Sequence, residues 1–182
     1  TVSAQIAWRA PVGSSVAFGL SPTVVGDSIF AASADGVVTK VDLATGNVQW
    51  KMTVAKILSA GAGSDGKTTA VATPEGDIIA LDEAGAVKWT ARASSDVIVQ
   101  PWVGLGVVVV RSGDYRIQAF NAANGERIWS VQRPGPSLAL RVAQQMIAIE
   151  GLVITGLPGG RLMAIEPIAG SVVWEGIVAA PR

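Results

Sequence analysis

Apolar and polar positions alternate along this chain on the scale of strands. Short runs rich in Val, Ile, Thr and Ala are broken by Gly at regular places. No amphipathic period of 3.6 residues is sustained over a dozen residues, so helices are not expected. The stretch from Ser21 to Met52 predicts four short strands. Ser21–Val25 is the first, and Gly26-Asp27 turns it into Ile29–Ala32. Asp35-Gly36, a favoured hairpin dipeptide, leads into Val37–Asp42. Thr45-Gly46 then turns the chain into Asn47–Met52.

The end of that unit recurs. Val41-Asp42 … Gly46 … Trp50 is followed by Leu81-Asp82 … Gly85 … Trp89, by Phe120-Asn121 … Gly125 … Trp129, and by Ile165-Glu166 … Gly170 … Trp174. Trp8, in Ile6-Ala7-Trp8-Arg9, looks like the tail of the same unit without its head. These five tryptophans stand 42, 39, 40 and 45 residues apart. A period near forty residues marks a repeat architecture. Pro22 and Pro101 fall at the same point of the unit. Gly36, Gly76 and Gly160 each precede the acid by six residues, and Tyr115 takes that place in the third unit.

Four antiparallel strands per forty residues, repeated around an axis, describe a β-propeller blade. The expected fold is therefore all-β, a propeller of four-stranded antiparallel blades with tryptophan-docking motifs. Residues 1–182 read as one partial propeller domain. A leading closing strand is expected over 5–12, and blade repeats at about 20–54, 57–93, 97–133 and 140–179. Five fourth strands against four sets of the other three imply a longer array, with the strand of Trp8 belonging to a blade beyond Arg182.

Within the motif, Gly46, Gly85, Gly125 and Gly170 supply the positive φ of a tight turn. The acid or Asn can bond the turn's own amides. Trp8, Trp50, Trp89, Trp129 and Trp174 are large flat groups suited to wedge between blades, each with an indole N–H seeking an acceptor in the neighbouring turn. These residues are expected to hold blades together; ligand contact by some of them is the alternative.

Composition narrows function mainly by exclusion. The 182 residues are 49% hydrophobic and 15% charged, enough for a real core. Lys plus Arg and Asp plus Glu are 14 each, and no basic block suggests nucleic acid or an anionic membrane surface. No apolar run approaches the ~20 residues of a membrane-spanning helix. Without Cys or His, thiol nucleophiles, Cys/His zinc sites and His-based triads are excluded. No signal peptide is apparent, and Thr1 follows no Met, as in a processed or trimmed product.

Gly61-Ala62-Gly63-Ser64-Asp65-Gly66-Lys67-Thr68 fits the phosphate-loop pattern. A strand and turn follow it rather than the helix that phosphate binding requires, so a hairpin is expected. Gly104-Leu105-Gly106 lacks the third Gly of a dinucleotide fingerprint. Asp35, Asp82 and Asp114 form no calcium loop. No cofactor, metal, catalytic residue or small-molecule substrate is predicted.

The least repeat-like stretch is Arg133-Pro134-Gly135-Pro136-Ser137-Leu138-Ala139-Leu140-Arg141. Two Pro and a Gly shape it, and strand alternation puts Leu138 and Leu140 on one face. Apolar groups beside an Arg have the composition of a partner-binding hot spot. The alternative is that both Leu tuck into the fourth blade and Arg141 is merely solvated.

The A-x-D-x-x-x-G-x-x-x-W pattern resembles the repeat of pyrroloquinoline-quinone (PQQ) propellers. Within that group, Pro136-Ser137-Leu138-Ala139-Leu140-Arg141 is similar to the Pro-Ser-Leu-Ser-Leu-Arg segment of the BamB family, the propeller lipoproteins of the outer-membrane β-barrel assembly machinery. Ile6-Ala7-Trp8-Arg9-Ala10-Pro11-Val12-Gly13 is similar to that family's opening strand. The resemblance runs the length of the chain and implies the N-terminal half of an eight-bladed propeller. It implies a scaffold without catalysis at the periplasmic face of the outer membrane of a Gram-negative bacterium, contacting the POTRA domains of BamA through Leu138, Leu140 and Arg141. It also implies a second, acidic partner loop beyond residue 182 and membrane attachment only through a lipidated Cys before Thr1. The shared Trp motif suggests a competing identity, a fragment of a quinoprotein dehydrogenase, although this chain lacks the adjacent cysteines and clear calcium ligands of those enzymes. Unpaired edges suggest a third, a half-propeller that pairs with itself.

Overall fold

The structure, a computed structural model, describes residues 3–14, 20–135 and 145–178. Their sixteen strands form four sheets of four. The first sheet holds β1 (Thr23–Val25), β2 (Ser28–Ala32), β3 (Val37–Asp42) and β4 (Val48–Thr53). The second holds β5 (Gly63–Ser64), β6 (Thr69–Ala72), β7 (Asp77–Leu81) and β8 (Val87–Arg92). The third holds β9 (Trp102–Gly104), β10 (Val107–Arg111), β11 (Arg116–Asn121) and β12 (Arg127–Gln132). The fourth holds β13 (Ile147–Ile149), β14 (Leu152–Leu157), β15 (Arg161–Ile165) and β16 (Val172–Ile177). Within each sheet every strand pairs antiparallel with the next in sequence. The all-β architecture is the expected one.

Burial explains why the middle strands are apolar throughout. β6 is buried at every position, and β7, β10 and β11 nearly so. A sheet covered on both faces has no use for polar alternation. The outer strands β4 and β12 alternate exposed and half-buried positions, as an edge facing solvent does. The core is a series of layers between consecutive sheets. Phe30 and Val38 of the first sheet pack with Val71, Ile79 and Leu81 of the second. Ile78 and Trp89 of the second pack with Val108, Val110 and Phe120 of the third. Val109 and Ile117 of the third pack with Val153, Met163 and Ile165 of the fourth.

One irregularity repeats in all four sheets. The register between the third and fourth strands shifts between Lys40 and Val41, Ala80 and Leu81, Ala119 and Phe120, and Ala164 and Ile165. Gln49, Lys88, Ile128 and Val173 are the extra residues, each directly before the motif Trp. A bulge of this kind bends its strand and re-aims the side chain beside it.

The strand expected over 5–12 does not form: residues 3–14 carry no strand. A fourth strand needs a third strand to pair with, and each third strand described already has its own. The segment instead lies over the first sheet, where Trp8, Val12, Leu20, Ile29 and Val41 line a cavity of about 270 Å3. The phosphate-loop match folds as a hairpin. Asp65 accepts from the amides of Lys67 and Thr68, and the chain continues straight into β6.

Candidate functional site

The repeated motif builds one joint several times over. In β4, β8 and β12 the Trp that follows the bulge faces the next sheet. Trp50 of β4 donates its indole N–H to the carbonyl of Glu83 at 3.0 Å. Trp89 of β8 donates to Ala122 at 3.0 Å, and Trp129 of β12 to Pro167 at 2.8 Å. Trp8 makes the same bond to Leu43, at 3.0 Å. Each acceptor lies in the turn between the third and fourth strands of the next sheet.

The glycine of that turn lies beneath the ring. A Cβ added to Gly46, Gly85, Gly125 or Gly170 would stand 2.6 to 2.7 Å from the nearest ring carbon of Trp8, Trp50, Trp89 or Trp129 respectively. Positive φ is therefore half of what glycine supplies there; the other half is room for an indole from another sheet. Trp89 is the most enclosed, 8% exposed, whereas Trp174 stands 41% exposed.

The acid of the motif ties its own turn. Asp42 Oδ1 accepts from the amides of Ala44 and Thr45 and from the Thr45 hydroxyl, at 3.1, 2.8 and 2.7 Å. Asp82 and Asn121 do likewise with amides of their own turns. Glu166 takes the amides of Ile168 and Ala169 on its two oxygens. The Thr45 hydroxyl, then its amide, hold the Asp42 carboxyl below the ordinary value of 3.8.

Leu138, Leu140 and Arg141 lie outside the described residues. Both ends of their crossing are described. Arg133 Nε meets Glu175 Oε2 at 2.9 Å, and Arg161 Nη1 meets Glu175 Oε1 at 3.2 Å. Arg161 Nη2 donates to the Pro134 carbonyl at 3.1 Å. At the far end Met146 is buried in the layer between the third and fourth sheets. Nothing in the repeat pattern marks the Arg133–Glu175–Arg161 bridge, because its partners are 28 and 42 residues from Arg133 and none belongs to the motif. A signal did exist for a second feature: Tyr115 occupies a glycine position of the repeat.

A family model described as outer membrane protein assembly factor BamB matches residues 1–55 and 34–182. The outer membrane protein assembly factor BamB of Bordetella pertussis is 63% identical over 181 residues, covering 100% of this chain and 47% of that protein. Its counterpart in Burkholderia pseudomallei is 37% identical over 179 residues, covering 98% and 47%. The chain thus spans about half the length of the curated relatives it matches. Among solved structures, BamB from Moraxella catarrhalis superposes with a TM-score of 0.77 at 23% identity, covering 87% of this chain and 48% of that one. A quinohemoprotein alcohol dehydrogenase from Comamonas testosteroni gives 0.70 at 20% identity, covering 95% and 37%. Both superpositions speak to the fold, which is that of PQQ-type propellers. The family follows from the sequence matches, which run over the whole chain: it belongs to the outer membrane protein assembly factor BamB family.

Proposed function

We propose that the chain is part of a non-catalytic scaffold subunit of the β-barrel assembly machinery. It acts at the periplasmic face of the outer membrane and aids the assembly of outer-membrane proteins. It binds the POTRA domains of BamA through the crossing that carries Leu138, Leu140 and Arg141. The observation that carries this reading is the match along the whole of this chain, at 63% identity, to about half of a relative described as an outer membrane protein assembly factor. Four sheets in about half a relative's length support a ring of eight blades, to which residues 3–14 would contribute an outer strand.

Calorimetric titration of the chain with the POTRA domains of its cognate BamA tests the reading. Truncating a central hot-spot residue costs ~2 kcal/mol or more, which is about 30-fold in affinity. Arg141→Ala and Leu140→Ala are each expected to weaken binding by that factor. Unchanged affinity in both would remove these residues from the interface.

The likeness to quinohemoprotein dehydrogenases favours a second reading, a PQQ-binding enzyme fragment. At 20% identity that likeness extends to fold alone. A quinone absorption band retained after incubation with PQQ and calcium, then desalting, would restore it.

A further inference from the structure

The four turns that receive an indole differ in chemistry. The residue before the docking glycine is Thr45, Ala84, Asn124 and Ala169 in turn, so the third sheet alone places an asparagine there. The chain has three asparagines, Asn47, Asn121 and Asn124, and of these Asn124 alone precedes a glycine. An asparagine so placed can lose its side-chain nitrogen without an enzyme. The amide nitrogen of the next residue attacks Cγ, a new C–N bond forms as the old one breaks, and ammonia leaves a five-membered succinimide. Water then opens the ring at either carbonyl, giving aspartate or isoaspartate. Glycine puts no side chain in the way of the attack.

The turn opposes that reaction. The attacking atom is the Gly125 nitrogen, and its hydrogen is committed to the Asn121 carbonyl at 2.8 Å. Attack needs that proton removed and the nitrogen free to turn toward Cγ. The Asn124 carboxamide is held at both ends by one residue: Oδ1 accepts from the Glu126 amide at 3.0 Å, and Nδ2 donates to Glu126 Oε2 at 2.9 Å. Trp89 closes the turn from the second sheet. Its ring lies over Gly125 with no room for a Cβ between them, and its indole N–H bonds the Ala122 carbonyl at 3.0 Å. Trp89 is buried, whereas Asn124 is exposed to the base and water the reaction needs. Solvent reaches the reactive group, and backbone geometry held by a side chain of another sheet restrains it.

We propose that Asn124 is a site of spontaneous modification, converted by its own backbone to isoaspartate and aspartate, and that Trp89 controls the rate. While the indole is seated, the turn keeps the Gly125 nitrogen on Asn121. When the joint opens, the nitrogen is released and the attack proceeds. The change is one-way. In the isoaspartate product the main chain runs through the side-chain carbons and gains a methylene between residue 124 and Gly125. The glycine is then displaced from beneath the ring, and a second carboxylate stands beside Glu126. An opening that leads to chemistry leaves the second and third sheets with an altered joint.

The test incubates the whole chain at mildly alkaline pH, digests it with trypsin and follows the 117–127 peptide by chromatography and mass spectrometry. That peptide carries both Asn121 and Asn124, so Asn121, which precedes Ala122, is an internal comparison. Four samples run in parallel: the folded parent, the parent in urea, Trp89→Ala, and Trp50→Ala, which removes the equivalent indole from the joint between the first and second sheets. In urea Asn124 should convert and Asn121 should lag. The folded parent should convert Asn124 at least about tenfold more slowly than the chain in urea. Trp89→Ala should react about fivefold faster than the folded parent, the factor that one net hydrogen bond represents. Trp50→Ala, a distant change, should stay within about twofold of the parent. If Trp89→Ala lacks the strand signal in circular dichroism, Trp89→Phe replaces it, keeping a ring over Gly125 and losing the bond to Ala122; it too should exceed the parent. No isoaspartate in urea overturns the site. Equal rates in the folded parent and in urea, or equal acceleration by the variants at Trp89 and Trp50, overturn control by Trp89.

Discussion

Replacing Gly125 by Ala should cost far more than its one added methyl group suggests, and the excess should vanish when Trp89 is absent. Gly125 and Gly151 share a φ of +78. Around Gly151 nothing lies within 4 Å of an added Cβ, so Gly151→Ala meets only the left-handed backbone penalty, about 1 kcal/mol. At Gly125 the Cβ would stand 2.7 Å from Trp89 Cδ2 and Cε3, roughly 1 Å inside ordinary carbon–carbon contact. The ring must retreat from a site where it is 8% exposed and bonded to the Ala122 carbonyl at 3.0 Å. Overpacking of this kind costs about 1–3 kcal/mol, and the weakened hydrogen bond about 1 more. With the backbone penalty the expected total is about 3–5 kcal/mol. Trp89→Ala alone should cost about 3–5 kcal/mol through burial and cavity formation. In the double variant the Gly125 change should fall back to about 1 kcal/mol, giving a coupling of about 2–4 kcal/mol. Urea unfolding followed by circular dichroism at constant m-value measures all four corners of the cycle. Equal costs at Gly125 and Gly151, or additive costs in the double variant, would refute the argument that the glycine makes room for the indole.

Two further predictions concern stability. Leu105 sits at φ +52 in the β9–β10 turn and is 60% exposed, so Leu105→Asn, a residue that tolerates the left-handed region, should stabilise by about 0.5–1 kcal/mol; a lower melting temperature would contradict this. Asp77 lies between Lys56 Nζ at 2.6 Å and Arg92 Nη1 at 2.9 Å, and its carboxyl is held below 3.8 by the Lys56 hydrogen bond first, then by the charges of Lys56 and Arg92 against an opposing desolvation. A carboxylate with a depressed folded pKa stabilises above its unfolded value and loses that contribution as pH falls through the folded one. Stability should therefore decline below about pH 4, and Asp77→Asn should shallow that decline; an unchanged acid limb in denaturant titrations would argue against the pairing.

The repeat was the most legible part of the fold. Glycine, an acid or Asn and Trp at fixed spacing announce a turn and a large side chain, and the four sheets follow from them. A reach from each Trp to a neighbouring turn was expected; what the spacing concealed was that the glycine of that turn makes room for the ring, Gly85 receiving Trp50 from the preceding sheet. Periodicity does not show this, because a contact within a repeat and a contact to the next repeat share the same period. The segment expected as a strand over 5–12 carries none: Trp8 docks on Gly46 as the other tryptophans do on theirs, but every third strand among the described residues is already paired with its own fourth. Tyr115 was visible as a break in the glycine column, but its consequence was not, since the small residue that compensates for it stands 20 positions later at Gly135. The residues Leu138, Leu140 and Arg141 were reached by composition and resemblance alone.

Every joint described above points the same way along the chain, from an earlier Trp to a later turn, with 35, 33, 33 and 38 residues between indole and acceptor. For a polypeptide emerging N-terminus first, no Trp can dock when its own strand appears. Each must wait for roughly another 35 residues to emerge, about 2–7 s at common synthesis rates of ~5–20 residues per second. One sheet at a time therefore passes through an interval with an unsatisfied indole at its trailing face, until the next turn arrives to cover it. The growing chain carries a single moving sticky end, and a slow or stalled stretch downstream would prolong its exposure without altering any residue of the sheet that bears it.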